Sequence, residues 1–247
     1  MPSAMKLHHS LVLIAAAVAP FVSSVASATL APSINVDGLL LGEPNITGIS
    51  TNMGTGAGSI GNLINQTAFN PQYTSLSTDF DSFLNSTTSD ANPGVNGWRS
   101  MAPMTTGFVS FTLDKSYSIT GIGLWLANSS GTNINFQVQD FSVYADSDAD
   151  PTNGLGTLMG SFTAQQITTP SPFAGQAWGL PSDNWTAANT QFIQLEILSN
   201  YGGTSTFLGE VVFATVPEPM TLLGASAAAG FGAFFKRRQN KSKSTNA

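Results

Sequence analysis

Phe108-Val-Ser-Phe-Thr-Leu-Asp-Lys-Ser-Tyr-Ser-Ile-Thr-Gly-Ile-Gly-Leu-Trp-Leu126 is the stretch on which the fold turns. Residues 108–113 and 119–126 are β-branched and aromatic and read as two strands, with the polar Asp114-Lys-Ser-Tyr117 as a turn between them. Trp125 lies mid-strand among apolar neighbours and is expected in the core. Downstream, residues 138–144, 158–163, 192–198 and 207–213 have the same character. In 192–198, Ile193, Leu195 and Ile197 alternate with Gln194, Glu196 and Leu198, the period of two that suits a sheet with one buried face. Short strands with Gly-, Asn- and Pro-rich connections indicate an all-β protein, an antiparallel β-sandwich. Upstream, 60–64 and 80–84 each read equally as a short helical turn or a strand.

The chain of 247 residues is 42% hydrophobic and only 9% charged, has no cysteine and carries a formal net charge of −6. That length suits one domain with ample chain for a core. Without cysteine there is no disulfide framework, thiolate zinc site or cysteine nucleophile. The charge is unevenly spread. Between residues 29 and 215 the only cations are Arg99 and Lys115, against thirteen acids, a net of −11. Both histidines, His8 and His9, lie at the N-terminus. The central segment therefore lacks the residues for Ser-His-Asp catalysis, histidine-ligated zinc or an Arg/Lys phosphate clamp, and has no basic footprint for nucleic acid. Carboxylate chemistry and oxygen ligation of a hard cation survive this cut.

The two ends read as addresses. Lys6 precedes the apolar run Leu11-Val-Leu-Ile-Ala-Ala-Ala-Val-Ala-Pro-Phe21, and Ala26-Ser-Ala28 follows, the layout of a signal peptide over 1–28 cleaved after Ala28. At the other end Val216-Pro217-Glu218-Pro219 leads into sixteen apolar or small residues and then Lys236-Arg237-Arg238. As a helix those sixteen residues reach about 24 Å, short of a ~30 Å hydrocarbon core. Residues 216–238 resemble the PEP-CTERM sorting tail, with residues 239–247 as an additional polar extension. That resemblance implies an exported bacterial protein, held transiently at the inner membrane by a single C-terminal helix until an exosortase-type membrane protease removes the tail. It places the protein at the cell envelope, cell surface or extracellular polysaccharide matrix.

Within 29–215, Trp98-Arg-Ser, then the strands ending Leu113-Asp and Leu124-Trp125, then Asp140-Phe-Ser-Val-Tyr144, and finally residues 192–203 leading to Leu208-Gly-Glu-Val-Val-Phe213 resemble in order the galactose-binding, discoidin-like jelly roll. The likeness is best over 108–213. It implies a sandwich that binds glycans at loops on one end, and a structural Ca²⁺ held partly by a Glu in the last strand, the position of Glu210. Asp79 and Asp81 are candidates for further oxygen ligands; the alternative is a surface Glu and two solvated turn residues. Asp146, Asp148 and Asp150 form a second oxygen-rich cluster. Pro151 stands there where an EF-hand loop has Gly, and Thr157 where it has Glu, so a solvated hairpin loop is the competing reading. For sugar binding, Trp98, Trp178, Trp185 and Tyr201 are expected in loops as aromatic platforms, with Arg99 as the single guanidinium. Trp98 and Tyr201 suit loop packing equally well. The expected function is a non-catalytic carbohydrate-binding or matrix-structural protein; the alternatives are a protein-binding adhesive module and a carboxylate-only glycoside hydrolase.

Overall fold

The computed structural model describes residues 36, 38–127, 133–148, 154–168, 172–180 and 189–216. The expected signal segment with Ala26 and Ala28, the expected sorting motif from Pro217 to the basic Lys236, Arg237 and Arg238, Asp150 and Trp185 lie outside them. Among the described residues no helix is long and apolar enough to cross a membrane.

In chain order the strands are β1 (Leu39–Leu41), β2 (Ile46–Thr51), β3 (Ala57–Gly58), β4 (Phe69–Asn70), β5 (Thr88–Ser89), β6 (Trp98–Arg99), β7 (Gly107–Trp125), β8 (Asp140–Asp146), β9 (Thr157–Thr163), β10 (Phe173–Ala174), β11 (Gln176–Gly179), β12 (Thr190–Ile197), β13 (Phe207–Leu208) and β14 (Glu210–Val216). One α-helix is described, α1 (Phe80–Ser86), and Ile60–Leu63 forms a turn of 3-10 helix. The result is an antiparallel β-sandwich. Its first half pairs β2, the start of β7, β12, β8 and β9; its second pairs β1, β14, the end of β7 and β11.

β7 belongs to both layers, which corrects the expected turn at 114–117. Leu113 still pairs with Ile46 and Tyr117 with Thr190, but the chain bulges outward between them and does not reverse. Side chains hold that corner. The Tyr117 hydroxyl donates to Asp114 Oδ1 at 2.7 Å, and Asn45 Nδ2 donates to Asp114 Oδ2 at 3.1 Å and to the Tyr117 oxygen at 2.9 Å. Turn-forming residues thus bend a strand from one sheet into the next.

The second layer is buried on both faces. Ile122, Leu124, Val211 and Phe213 point between the sheets, where the Phe111 and Phe213 rings meet edge to face at 5.1 Å. Trp125, Val212 and Ala214 point the other way, into a cluster with Phe69, Tyr73, Phe80 and Phe83. Burial on both faces explains why 119–126 and 211–214 are near-continuous apolar runs with no alternation. Gly121 and Gly123 fall on the outer face of β7. A Cβ at Gly121 would stand 2.4 Å from Val36 Cγ1, and one at Gly123 would stand 2.9 Å from Val212 Cγ2. Their missing side chains let the overlying layer sit directly on the strand.

That overlying layer contains α1, which resolves the ambiguity at 80–84 as helix. Asp79 is its N-cap, accepting from Ser82 N at 2.8 Å, and Phe80 and Phe83 supply its buried face. The strand expected over 207–213 is interrupted at Gly209, whose N–H donates to Trp125 O at 2.8 Å. Phe207–Leu208 instead pairs with Trp98–Arg99 in a small separate sheet.

Candidate functional site

Residues 164–168 join the two layers at the end of the sandwich where β8 begins and β11 begins. Ala164 N donates to Gln139 O at 2.8 Å beside β8. Beyond it, glutamine side chains stand in for a neighbouring strand. Gln176, the first residue of β11, accepts from Gln165 N at 2.6 Å and donates to Gln165 O at 2.7 Å. Gln137 treats Ile167 in the same way, accepting from its N–H at 2.7 Å and donating to its carbonyl at 3.0 Å. The Tyr201 hydroxyl donates to Ala164 O at 2.5 Å. Both glutamines are buried, so each satisfies one loop residue that has no ladder partner.

The wall so held borders an open cleft of about 370 Å³, lined by Gln165, Gln166, Thr168, Phe173, Gly175 and Gln176 among others. Among the described residues no lining side chain is charged. Gly175 lies against Trp125, where a Cβ would be 2.4 Å from the indole Cε2, so the floor rests on the aromatic cluster. Amides and a hydroxyl bordering an open cleft suit a ligand with many neutral donors and acceptors. This site was missed at the sequence level. Its only sign there is Gln165-Gln166 in a loop, and Gln176 and Gln137 carry no signature of what they hold.

The expected aromatic platforms are largely elsewhere. Trp98 is in β6, fully buried, with its indole N–H donating to Thr55 Oγ1 at 3.2 Å; it is core and offers no face to a ligand. Trp178 is in β11, 4% exposed, with its ring 5.0 Å from that of Phe141. Both were expected in loops, and both are inward-facing strand residues. Trp125 is core as expected, at 0% exposure. Arg99 is half-buried, with its guanidinium carbon 5.8 Å from the centre of the Phe207 ring and Nη2 donating to Gly56 O at 3.3 Å. Tyr201 is half-buried and does not line the cleft; its hydroxyl bonds Ala164 O, the residue before the lining begins.

The carboxylates expected at a cation are separated. Among the described residues no three acids or histidines form a metal-binding group. Asp79 is spent on capping α1, and its pKa is lowered by the hydrogen bonds from Ser82. Asp81 Oδ1 accepts from Val36 N at 2.9 Å. Asp146 Oδ1 accepts from Ser147 N at 2.6 Å and Asp148 N at 3.5 Å, the pattern of a self-capped turn.

Glu210 is different. Far from being a surface Glu, it is fully buried at the start of β14. Its Oε1 accepts from Ala68 N at 3.4 Å, and its Oε2 has no partner. Burial pushes its carboxyl well above the ordinary range, against the pull of backbone hydrogen bonds from Ala68 and Gln66. The buried Tyr73 hydroxyl is also unpartnered, and burial, with Glu210 beside it, drives its pKa upward. An orphaned carboxylate oxygen fits a Ca²⁺ ligand; Glu43 is the other carboxylate whose charge bears on Glu210, and further oxygens would be main-chain carbonyls or amides. Asp90 N donates to Ala68 O at 3.1 Å, which brings the 90s loop to the same place.

No family model and no curated protein matches the chain. Among solved structures it is similar to the family 32 carbohydrate-binding module of C. perfringens NanJ in complex with galactose, at 12% identity and a TM-score of 0.42, covering 67% of this chain and 91% of that one. It is also similar to the CBM32-1 and CBM32-2 domains of Clostridium perfringens ZmpB in complex with GalNAc, at 14% identity and a TM-score of 0.48, covering 73% of this chain and 36% of that one. An F5/8 type C domain from Bacteroides fragilis matches at 10% identity with a TM-score of 0.37, covering 49% and 75% respectively. These are likenesses of fold.

Proposed function

We propose that this chain is an exported, non-catalytic carbohydrate-binding protein of the cell surface or extracellular matrix, which holds neutral polysaccharide in the cleft beside residues 164–168. The cleft itself carries this reading. Its lining is uncharged, its wall is fixed before any ligand arrives, and the amides of Gln165 and Gln166 with the Thr168 hydroxyl border open space. A wall whose backbone is already held loses little entropy on binding a polyhydroxylated chain. Ca²⁺ at Glu210 is part of the same proposal, as a structural ion beneath the cleft: Glu210 pairs with Trp125, and Trp125 supports Gly175. A hydrolytic role is disfavoured, because the carboxyl that burial raises toward a proton donor's range is sealed away from any substrate. The PEP-CTERM tail supplies the route to the surface, with an exosortase-type protease as the processing partner.

Isothermal titration against soluble neutral polysaccharides, a galactan and a glucan, tests the reading. Binding to one of them is expected. Gln165→Ala, which removes an exposed side chain while leaving the backbone pairing to Gln176, is expected to weaken binding about tenfold, the loss of one to two ligand hydrogen bonds, with Tm unchanged. Absence of binding to every neutral polymer, or undiminished binding by the variant, overturns the assignment of the cleft.

A further inference from the structure

We propose that Asp140 is a specificity determinant that makes the cleft reject acidic polysaccharides; this rests on the cleft's being the glycan site. Asp140 opens β8, immediately after Gln139, whose carbonyl anchors the wall residue Ala164. Its two oxygens are fixed from opposite sides. Oδ1 accepts from Thr163 Oγ1 at 2.7 Å, the residue just before the wall, and Oδ2 accepts from Ser199 Oγ at 2.8 Å. Neither partner is charged, so the negative charge is held in place and not neutralised. The strand register puts it next to the wall: Asp140 pairs with Thr163, two residues before the lining residue Gln165.

Among the described residues the cations lie elsewhere. Of the two cations between residues 29 and 215, Arg99 lies on the Phe207 ring and bonds Gly56 O. Lys115 has its Nζ 5.3 Å from the Tyr117 ring centre, at the corner of β7 beyond the far end of β12 from Ile197. A carboxylate or sulfate on a bound glycan would therefore meet an uncharged lining with a fixed like charge beside it. A hydroxyl would meet only hydrogen-bonding groups.

The test uses the full chain and three polymers of one backbone: neutral galactan, the same galactan oxidised to C6 carboxylates, and the methyl ester of that oxidised form. The ester controls for loss of the C6 hydroxyl. At about 20 mM salt the carboxylated polymer is expected to bind about tenfold more weakly than its ester, and at 0.5 M salt the gap is expected to close to about twofold, because screening shortens the reach of Asp140 to a few ångström. Asp140→Asn, which keeps an acceptor for Thr163 or Ser199, is expected to remove most of the low-salt gap and leave galactan binding unchanged. Equal binding of carboxylated polymer and ester at low salt overturns the proposal while the glycan site stands. So does a gap that survives both Asp140→Asn and high salt. If none of the three polymers binds, the cleft reading fails and this proposal falls with it.

Discussion

At the scale of single residues, position in the sheet decided roles that residue type alone left open. Trp98 and Tyr201 were both compatible with ligand contact or with packing. Pairing with β3 and β13 turns the Trp98 indole inward, while the Tyr201 hydroxyl braces the chain at Ala164, just ahead of the cleft wall. Glu210 was legible as a candidate ligand, but its burial was not, because neighbouring Val211 and Val212 cannot say which layer covers the strand. Its raised pKa makes stability depend on pH. The folded state keeps this proton longer than the unfolded one, so the Glu210 contribution to stability is fully present in acid, falls as pH rises from about 4.5 through the folded value, and then levels off. Denaturant unfolding across pH is expected to show that decline in metal-free protein and to lose it in Glu210→Gln. If Ca²⁺ occupies the site, adding it above the folded pKa raises the Tm of the native protein, chelator reverses the gain, and Glu210→Gln responds to neither. A wild-type curve that matches the variant with and without metal rules out both the buried acid and the ion.

At the scale of elements, the strands at 138–144, 158–163 and 192–198 were legible within two residues, since each is two-sided and alternates or is bounded by turn formers. β1, β2 and β11 went unread because they are short or edge strands whose membership depends on the β7 and β14 backbones. The cleft wall was illegible for a related reason. Gln137 and Ile167 are 30 residues apart, and amides that replace a ladder leave no periodic trace. α1 offers a clean test of an assigned role. If Asp79 is a cap and not a cation ligand, Asp79→Ala costs about 1 kcal/mol and leaves any chelator sensitivity intact. Loss of the Ca²⁺ response in that variant would return Asp79 to the metal site.

At the scale of the molecule, the uneven charge is the feature with widest reach. A segment near −11 between basic ends repels copies of itself at low salt. The ends themselves are tested by mass. Intact mass spectrometry of protein recovered from the native cell surface is expected to place the termini near Thr29 and Pro217, and an unprocessed 247-residue mass would refute both addresses.

β7 hydrogen-bonds to β2, β11, β12 and β14, and the last two are contributed by the final stretch of the described chain. Until residues 190–216 arrive, both layers lack a central strand and the core has no second wall. Contacts of such long sequence separation form late and slowly. On the proposed export route that delay has a use: a chain threading through a membrane channel stays pliable in transit and sets only once its last strand has crossed.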